Sequence, residues 1–133
     1  MLNINEERMS DAFIKYHVEG LPFGAVFHSI NADYGDFHDH PWGFWSTVLN
    51  GGYVETVLDK ATGRVFDITR RTNDTFFNTM DHVHRIGRAD EDTWTIIRPQ
   101  PQHGTQTSGF WRQDDQGGLW HRFWHDEEFR KVT

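Results

Sequence analysis

The stretch His38-Asp39-His40-Pro41-Trp42-Gly43-Phe44-Trp45-Ser46-Thr47-Val48-Leu49-Asn50-Gly51-Gly52-Tyr53-Val54-Glu55 decides how this chain is read. Its second half is a hairpin in outline. Apolar and β-branched residues over 43–49 and 53–58 flank Asn50-Gly51-Gly52, where glycine supplies the positive φ that such turns require. Its first half holds two histidines at i and i+2, and His82 and His84 repeat that spacing further along. Side chains alternate between the faces of a strand, so each pair aims two imidazoles at one side of its sheet. Facing each other inside a small barrel, the pairs can hold one divalent metal. With nine histidines and no cysteine, the ligand chemistry is nitrogen or nitrogen and oxygen. That suits Fe, Mn, Ni, Cu or Zn rather than a thiolate cluster.

Outward from this stretch the chain reads as short strands between turn signals. Strands are expected over 25–30, 43–49, 53–58, 64–69, 74–78, 82–86 and 93–98, with a closing hairpin of 109–112 and 119–124. Residues 31–35 and 59–63 read as turns, and 99–109 as a polar loop. One helix is expected, Asn5 to His17, because Met9, Phe13 and Tyr16 fall at helical spacing and Glu6 and Glu7 suit a first turn. Gly20, Pro22 and Gly24 break the chain after it. Residues 126–133 are charged and read as a short helix or tail. Short strands at near-regular spacing with hairpin turns define a sandwich or barrel. The length of 133 residues fits one domain spanning the whole chain, with its core at about 25–124.

Composition removes several functions. A formal charge of −7 argues against nucleic acid, a polyanion that asks for a basic surface. No apolar run reaches membrane-spanning length. The first ten residues lack the apolar core of a secretory signal, so a cytoplasmic protein is expected. Six Trp and eleven Phe favour strands and pocket linings, and a small-molecule partner.

These residues resemble the cupins, small double-stranded β-helix or jelly-roll proteins. The first cupin motif runs from a glycine through His-x-His and a glutamate to a closing glycine. His38 and His40 match the His-x-His, and Gly51 or Gly52 the closing glycine. Its glutamate position falls on Phe44 or Trp45, so that carboxylate is missing. The lone histidine of the second motif matches His84, with His82 as an extra candidate, but the Pro-x-Gly turn is absent. A closer likeness, over about residues 25–124, is to small cupin-like proteins of bacteria and phages. It is carried by His38-x-His40-Pro41-Trp42, Gly51-Gly52-Tyr53-x-Glu55, His84-Arg85, Thr93-Trp94-Thr95 and Gly109-Phe110-Trp111. The resemblance implies an all-β cupin jelly roll, to which the helix read at Asn5 to His17 adds a short N-terminal element, together with metal binding and a homodimer formed through strand edges. It is nearly silent on the reaction, because one fold hosts many chemistries.

His38 and His40 are the leading metal ligands and His84 the next. His82 either completes a four-histidine set or stands at the rim. Glu55, sharing a strand face with Tyr53 and Val57, is a candidate general base or a partner that fixes a ligand imidazole; the alternative is a solvent-facing residue paired with an arginine. His103 reads as an exposed loop residue, and His17, His28, His121 and His125 as structural. Asp36 and Asp39 can tune the imidazoles or lie exposed at a strand edge. Trp42, Trp45, Tyr53, Phe110 and Trp111 read mainly as core. The function expected is a small-molecule metalloenzyme of the dioxygenase type, with Fe ahead of Mn, Ni, Cu or Zn. A non-catalytic metal- or ligand-binding module is the alternative. A 2-oxoglutarate oxygenase would use His-x-Asp/Glu, and the two His-x-Glu matches, at His17 and His125, fall outside the expected barrel strands. The Gly-x-Ser-x-Gly elbow of an α/β hydrolase is absent.

Overall fold

The computed structural model describes residues 2–11, 13–21, 25–30 and 34–132. Thirteen strands follow in chain order: β1 Asn3–Ser10, β2 Phe13–Glu19, β3 Ala25–Ile30, β4 Tyr34–His38, β5 Phe44–Asn50, β6 Gly52–Leu58, β7 Val65–Arg71, β8 Thr75–Asn78, β9 His84–Ala89, β10 Thr93–Pro99, β11 Gly109–Gln113, β12 Leu119–Phe123 and β13 Arg130–Lys131. They form two antiparallel sheets. One runs β1-β2-β3-β10-β5-β8, and the other β13-β12-β11-β4-β9-β6-β7. From β3 to β11 the chain crosses between the sheets at every connection except the β6–β7 hairpin, as in a jelly roll. No helix among the described residues is long and apolar enough to cross a membrane.

The expected N-terminal helix is not formed. Residues 3–19 make a hairpin in which Asn5 pairs with His17 and Glu7 with Lys15, and β2 then pairs along its length with β3. The three apolar residues at helical spacing are too few to make a buried face. As a strand, Phe13, Lys15 and His17 instead share one side, and Phe13 joins the core. Pairing with a preformed neighbour overrides weak local periodicity. β1 remains an outer ribbon, with Ile4 63% exposed. Two further expectations change. The turn over 31–35 gives way to β4 from residue 34 onward, while 31–33, like Pro22 and Gly24, lie outside the described residues. The C-terminal segment adds the short strand β13 beside β12 rather than a helix.

The expected hairpin of 43–49 and 53–58 does not form: β5 pairs with β10 and β8 in one sheet and β6 with β7 and β9 in the other, so the tight turn Asn50-Gly51-Gly52 carries the chain from one sheet to the other. Gly51 sits at φ +71°, and a Cβ there would come within 2.5 Å of the Thr93 hydroxyl oxygen, so both conformation and space ask for glycine. The core lies between the sheets in two clusters. Phe13, Ile30, Val48, Tyr53 and Ile86 form one; Leu58, Val83 and Leu119 form the other, against which Phe37 and Trp111 pack. Each such side chain contributes about 1.5–3 kcal/mol when fully buried. Trp45, expected in the core, is 40% exposed and rests edge-on against Phe77.

Candidate metal centre

His38 ends β4, His40 lies just beyond it, and His84 opens β9. His38 and His84 are register partners across the β4–β9 ladder, which brings the two distant motifs side by side. His40 has already left the strand. Its backbone N–H donates to the Met80 carbonyl at 3.2 Å. Gln106 fixes the same turn, donating through Nε2 to the carbonyls of His40 at 2.9 Å and Met80 at 2.7 Å. The three rings meet edge to face with centroids 4.8–5.2 Å apart. One ligand atom from each of the three lies within 4.8 Å of the others.

The far side of each ring explains this orientation. Nδ1 of His84 donates to Glu55 Oε1 at 2.7 Å, which leaves Nε2 as a bare acceptor. Nδ1 of His38 donates to the Asp36 carbonyl at 3.2 Å. Nε2 of His84 stands 3.0 Å from Nε2 of His40. Nitrogens about 2.1 Å from a common ion and a right angle apart are about 3.0 Å from each other. Nδ1 of His40 is buried without a hydrogen-bond partner among the described residues. Lone pairs converging in a buried place are complementary to a cation, so the donor set fits a divalent transition metal.

Glu55 is fully buried on β6 and is not among the residues that border the cavity with the three rings. Its Oε1 accepts from His84 and from His82 Nε2, and its Oε2 accepts from Arg70 Nε at 2.8 Å. Arg70 supplies the counter-charge and lies with its guanidinium carbon 3.6 Å from the Phe76 ring centroid. Burial by itself raises the Glu55 pKa, but the hydrogen bonds from His82 and His84 outweigh it and hold the carboxyl well below the usual carboxylate range. Burial lowers all three cavity-facing imidazoles. His38 falls to about 3, with the charge of His84 adding to the effect, and His40 is held well below the ordinary value for the same two reasons. For His84 burial prevails over the opposing hydrogen bond to Glu55. All three rings are therefore neutral near pH 7, the form that binds metal.

Not all of the sequence-derived candidates share one place. His82 sits before β9 and touches Glu55 and His84, not His38 or His40. Glu55, His82 and His84 accordingly make a second group behind the first. Asp36 reaches a ring only through its backbone carbonyl; its carboxylate pairs with Arg112 at 3.1 Å. Asp39 is buried but accepts from the Gly109 N–H at 2.7 Å and from Trp111 Nε1 at 3.1 Å, tying β11 to the turn. His103 is exposed, as expected. Arg70 and Gln106 escaped sequence reading, since neither stands in a motif.

The three imidazoles lie on the wall of a cavity of about 330 Å³ between the sheets. Phe44, Tyr53, Ile86 and Ile97 supply apolar lining, and Trp42 and Phe110 also border it. His28, expected to be merely structural, borders the same cavity from β3, as does Lys15 from β2.

Known structures share this architecture. Oxalate decarboxylase from Bacillus subtilis matches with a TM-score of 0.59 and 16% identity over 80% of this chain and 29% of its own. Hydroxypropylphosphonic acid epoxidase from S. wedmorenis matches with a TM-score of 0.54 and 13% identity, over 71% of this chain and 55% of its own. A protein of unknown function from Vibrio parahaemolyticus matches with a TM-score of 0.55 and 11% identity, over 72% of this chain and 97% of its own. Mn(II) centres are described in the B. subtilis oxalate decarboxylase. No protein-family model matches the chain, and neither does any curated protein sequence. The chain has a cupin fold, as its His-x-His and Gly-Gly motifs led one to expect. It spans about half the length of the epoxidase and less than a third of the decarboxylase.

Proposed function

We propose that this protein is a metal-dependent small-molecule enzyme of the dioxygenase type, with Fe(II) as its working metal and His38, His40 and His84 as ligands. The observation that carries the reading is the convergence of three neutral imidazoles on the wall of a cavity large enough for a small molecule. Three protein ligands leave coordination positions open toward that cavity, the arrangement of catalytic rather than structural sites. A divalent metal bound there supplies Lewis acidity and redox chemistry to O2 and a chelating substrate.

The chain's own residues supply the rest. Glu55 acts as a positioning residue: it holds the proton of His84 on Nδ1 and directs Nε2 forward. Partners of this kind fix ring orientation and raise ligand basicity. His82 and Arg70 keep that carboxylate ionised and in place, and His82 thus serves from behind the ligand set. Gln106 holds the turn that carries His40. Phe44, which packs edge-on against His40, and the apolar lining exclude bulk water. A base role for Glu55 finds less support, because its oxygens are occupied by His82, His84 and Arg70 and the residue does not border the cavity.

Fe(II)-loaded protein exposed to nitric oxide, a surrogate for O2, tests the reading. An open site gives the paramagnetic signal of an iron nitrosyl. Silence from protein proven to contain Fe(II) would leave a non-catalytic metal- or ligand-binding module in its place.

A further inference from the structure

Opposite the histidines, the other sheet offers the cavity a second set of polar groups. Lys15, His28 and Thr95 are successive register partners across β2, β3 and β10, so they lie in one row on one face. All three border the cavity. The Thr95 hydroxyl belongs to a side chain only 1% exposed, yet Oγ1 has no hydrogen-bond partner among the described residues. The same holds for Nδ2 of Asn78, whose residue is 3% exposed. Asn78 is the register partner of Phe44, the ring that touches His40, so it stands toward the metal end. Buried polar groups are nearly always satisfied, and two orphans bordering one cavity ask for a partner inside it.

Charge narrows the choice. Among the described residues bordering the cavity, Lys15 and Asp39 alone are lysine, arginine, aspartate or glutamate. Asp39 is engaged by Gly109 and Trp111, whereas the half-buried Lys15 makes no ion pair among the described residues, its register partner Glu7 lying 3.3 Å from His17 instead. In a chain of net charge −7, an inward lysine without a counter-ion marks a place for an anion. A single cation matches one negative charge; a phosphate dianion would leave its second charge unpaired.

We infer that the substrate is a small molecule with a metal-chelating end and a carboxylate end, the carboxylate held by the Lys15 ammonium and the Thr95 hydroxyl. Asn78 donates to a polar atom nearer the metal. The inference rests on the three-histidine metal reading and deepens it by naming the substrate class.

The test uses two chelators of equal length on cobalt(II)-loaded protein, after cobalt uptake has been measured by itself. Succinic acid monohydroxamate carries a distal carboxylate; butyrohydroxamate ends in a methyl group. The unsubstituted protein should prefer the carboxylate probe by about tenfold, measured by calorimetric titration. Lys15→Met should reduce the preference to less than about twofold while leaving cobalt affinity and butyrohydroxamate binding in place. Lys15→Arg, which keeps the charge, should retain it. Failure of the unsubstituted protein to take up cobalt would overturn the metal reading and this inference with it. Cobalt uptake with equal affinity for both probes would overturn the carboxylate subsite alone. A preference that survives Lys15→Met, or is lost in Lys15→Arg, would overturn the assignment to the Lys15 charge. The comparison between probes in the unsubstituted protein requires no variant and stands whether or not Lys15→Met folds.

Discussion

Nδ1 of His40 apart, the two inner faces that meet at the cavity treat their buried polar groups in opposite ways. On the seven-stranded sheet, Glu55 accepts from His82, His84 and Arg70, and each partner is turned by that contact. On the six-stranded sheet, Thr95 and Asn78 keep buried atoms unpaired, and Lys15 makes no ion pair among the described residues. A satisfied network in a low-dielectric interior is rigid and holds a ligand set in one geometry. An unsatisfied one leaves free energy to be recovered by whatever enters. One wall is thus built to hold a metal, the other to receive a molecule.

The contrast breaks most completely if the histidine wall binds nothing. Native protein should carry about one divalent metal per chain, and the double substitution His38→Ala, His40→Ala should carry none. Elemental analysis of untagged protein decides it, and full metal in the double variant would remove these residues from the site.

Glu55→Gln should weaken metal affinity by about 10- to 100-fold. The metal-free protein should also lose about 2–3 kcal/mol in urea unfolding, because charge-assisted hydrogen bonds to a buried carboxylate are lost. Lost stability with unchanged affinity would make the Glu55 network a feature of the fold only.

Acid sharpens the comparison through both walls, since His28 and His38 are each held at about 3 by burial. Between that value and about 6.5 the unfolded chain binds more protons than the folded one, so stability is full above the window and falls as pH drops through it. Each such histidine adds up to about 1.4 kcal/mol per pH unit to the slope. His28→Gln should flatten the stability–pH curve of the metal-free protein by about that amount. An unchanged slope would mean that His28 titrates normally in the fold. Lys15, His17, His38 and His84 are the charged or titratable groups acting on it.

The smallest effect has the opposite sign. Thr95→Val replaces an unpaired buried hydroxyl with a methyl group of similar size, so the unliganded protein should gain about 1 kcal/mol. A loss of that size in urea unfolding would reveal a partner for the hydroxyl and erase the difference between the two walls.

Most of the strand pattern was legible because turn chemistry and alternation are local, although the division of β5 and β6 between two sheets was not. The β5–β6 turn is written in Asn50-Gly51-Gly52, and β3 and β10 begin and end close to where their apolar runs do. The N-terminal hairpin was not legible, and the error had a cost beyond secondary structure. Read as a helix, residues 5–17 scatter Phe13, Lys15 and His17 around a cylinder. As β2 they share a face, and Lys15 turns inward beside His28. The metal wall was read better, because His-x-His carries its chemistry in its spacing.

The sequence by itself determined a β-rich chain, two separated histidine motifs and a carboxylate three residues beyond a tight turn. Only the tertiary structure decided which of these meet. Register across β4 and β9 joins His38 to His84, and the β6–β9 ladder brings Glu55 behind His84 rather than in front of it. The chain's departure from β4 moves His40 to the cavity and leaves His82 outside. The physical reason is that strand alternation fixes which residues share a face, while pairing between distant strands fixes which faces are opposed. Pairing depends on backbone hydrogen bonds and burial summed over the whole sheet, and no local run of residues encodes it.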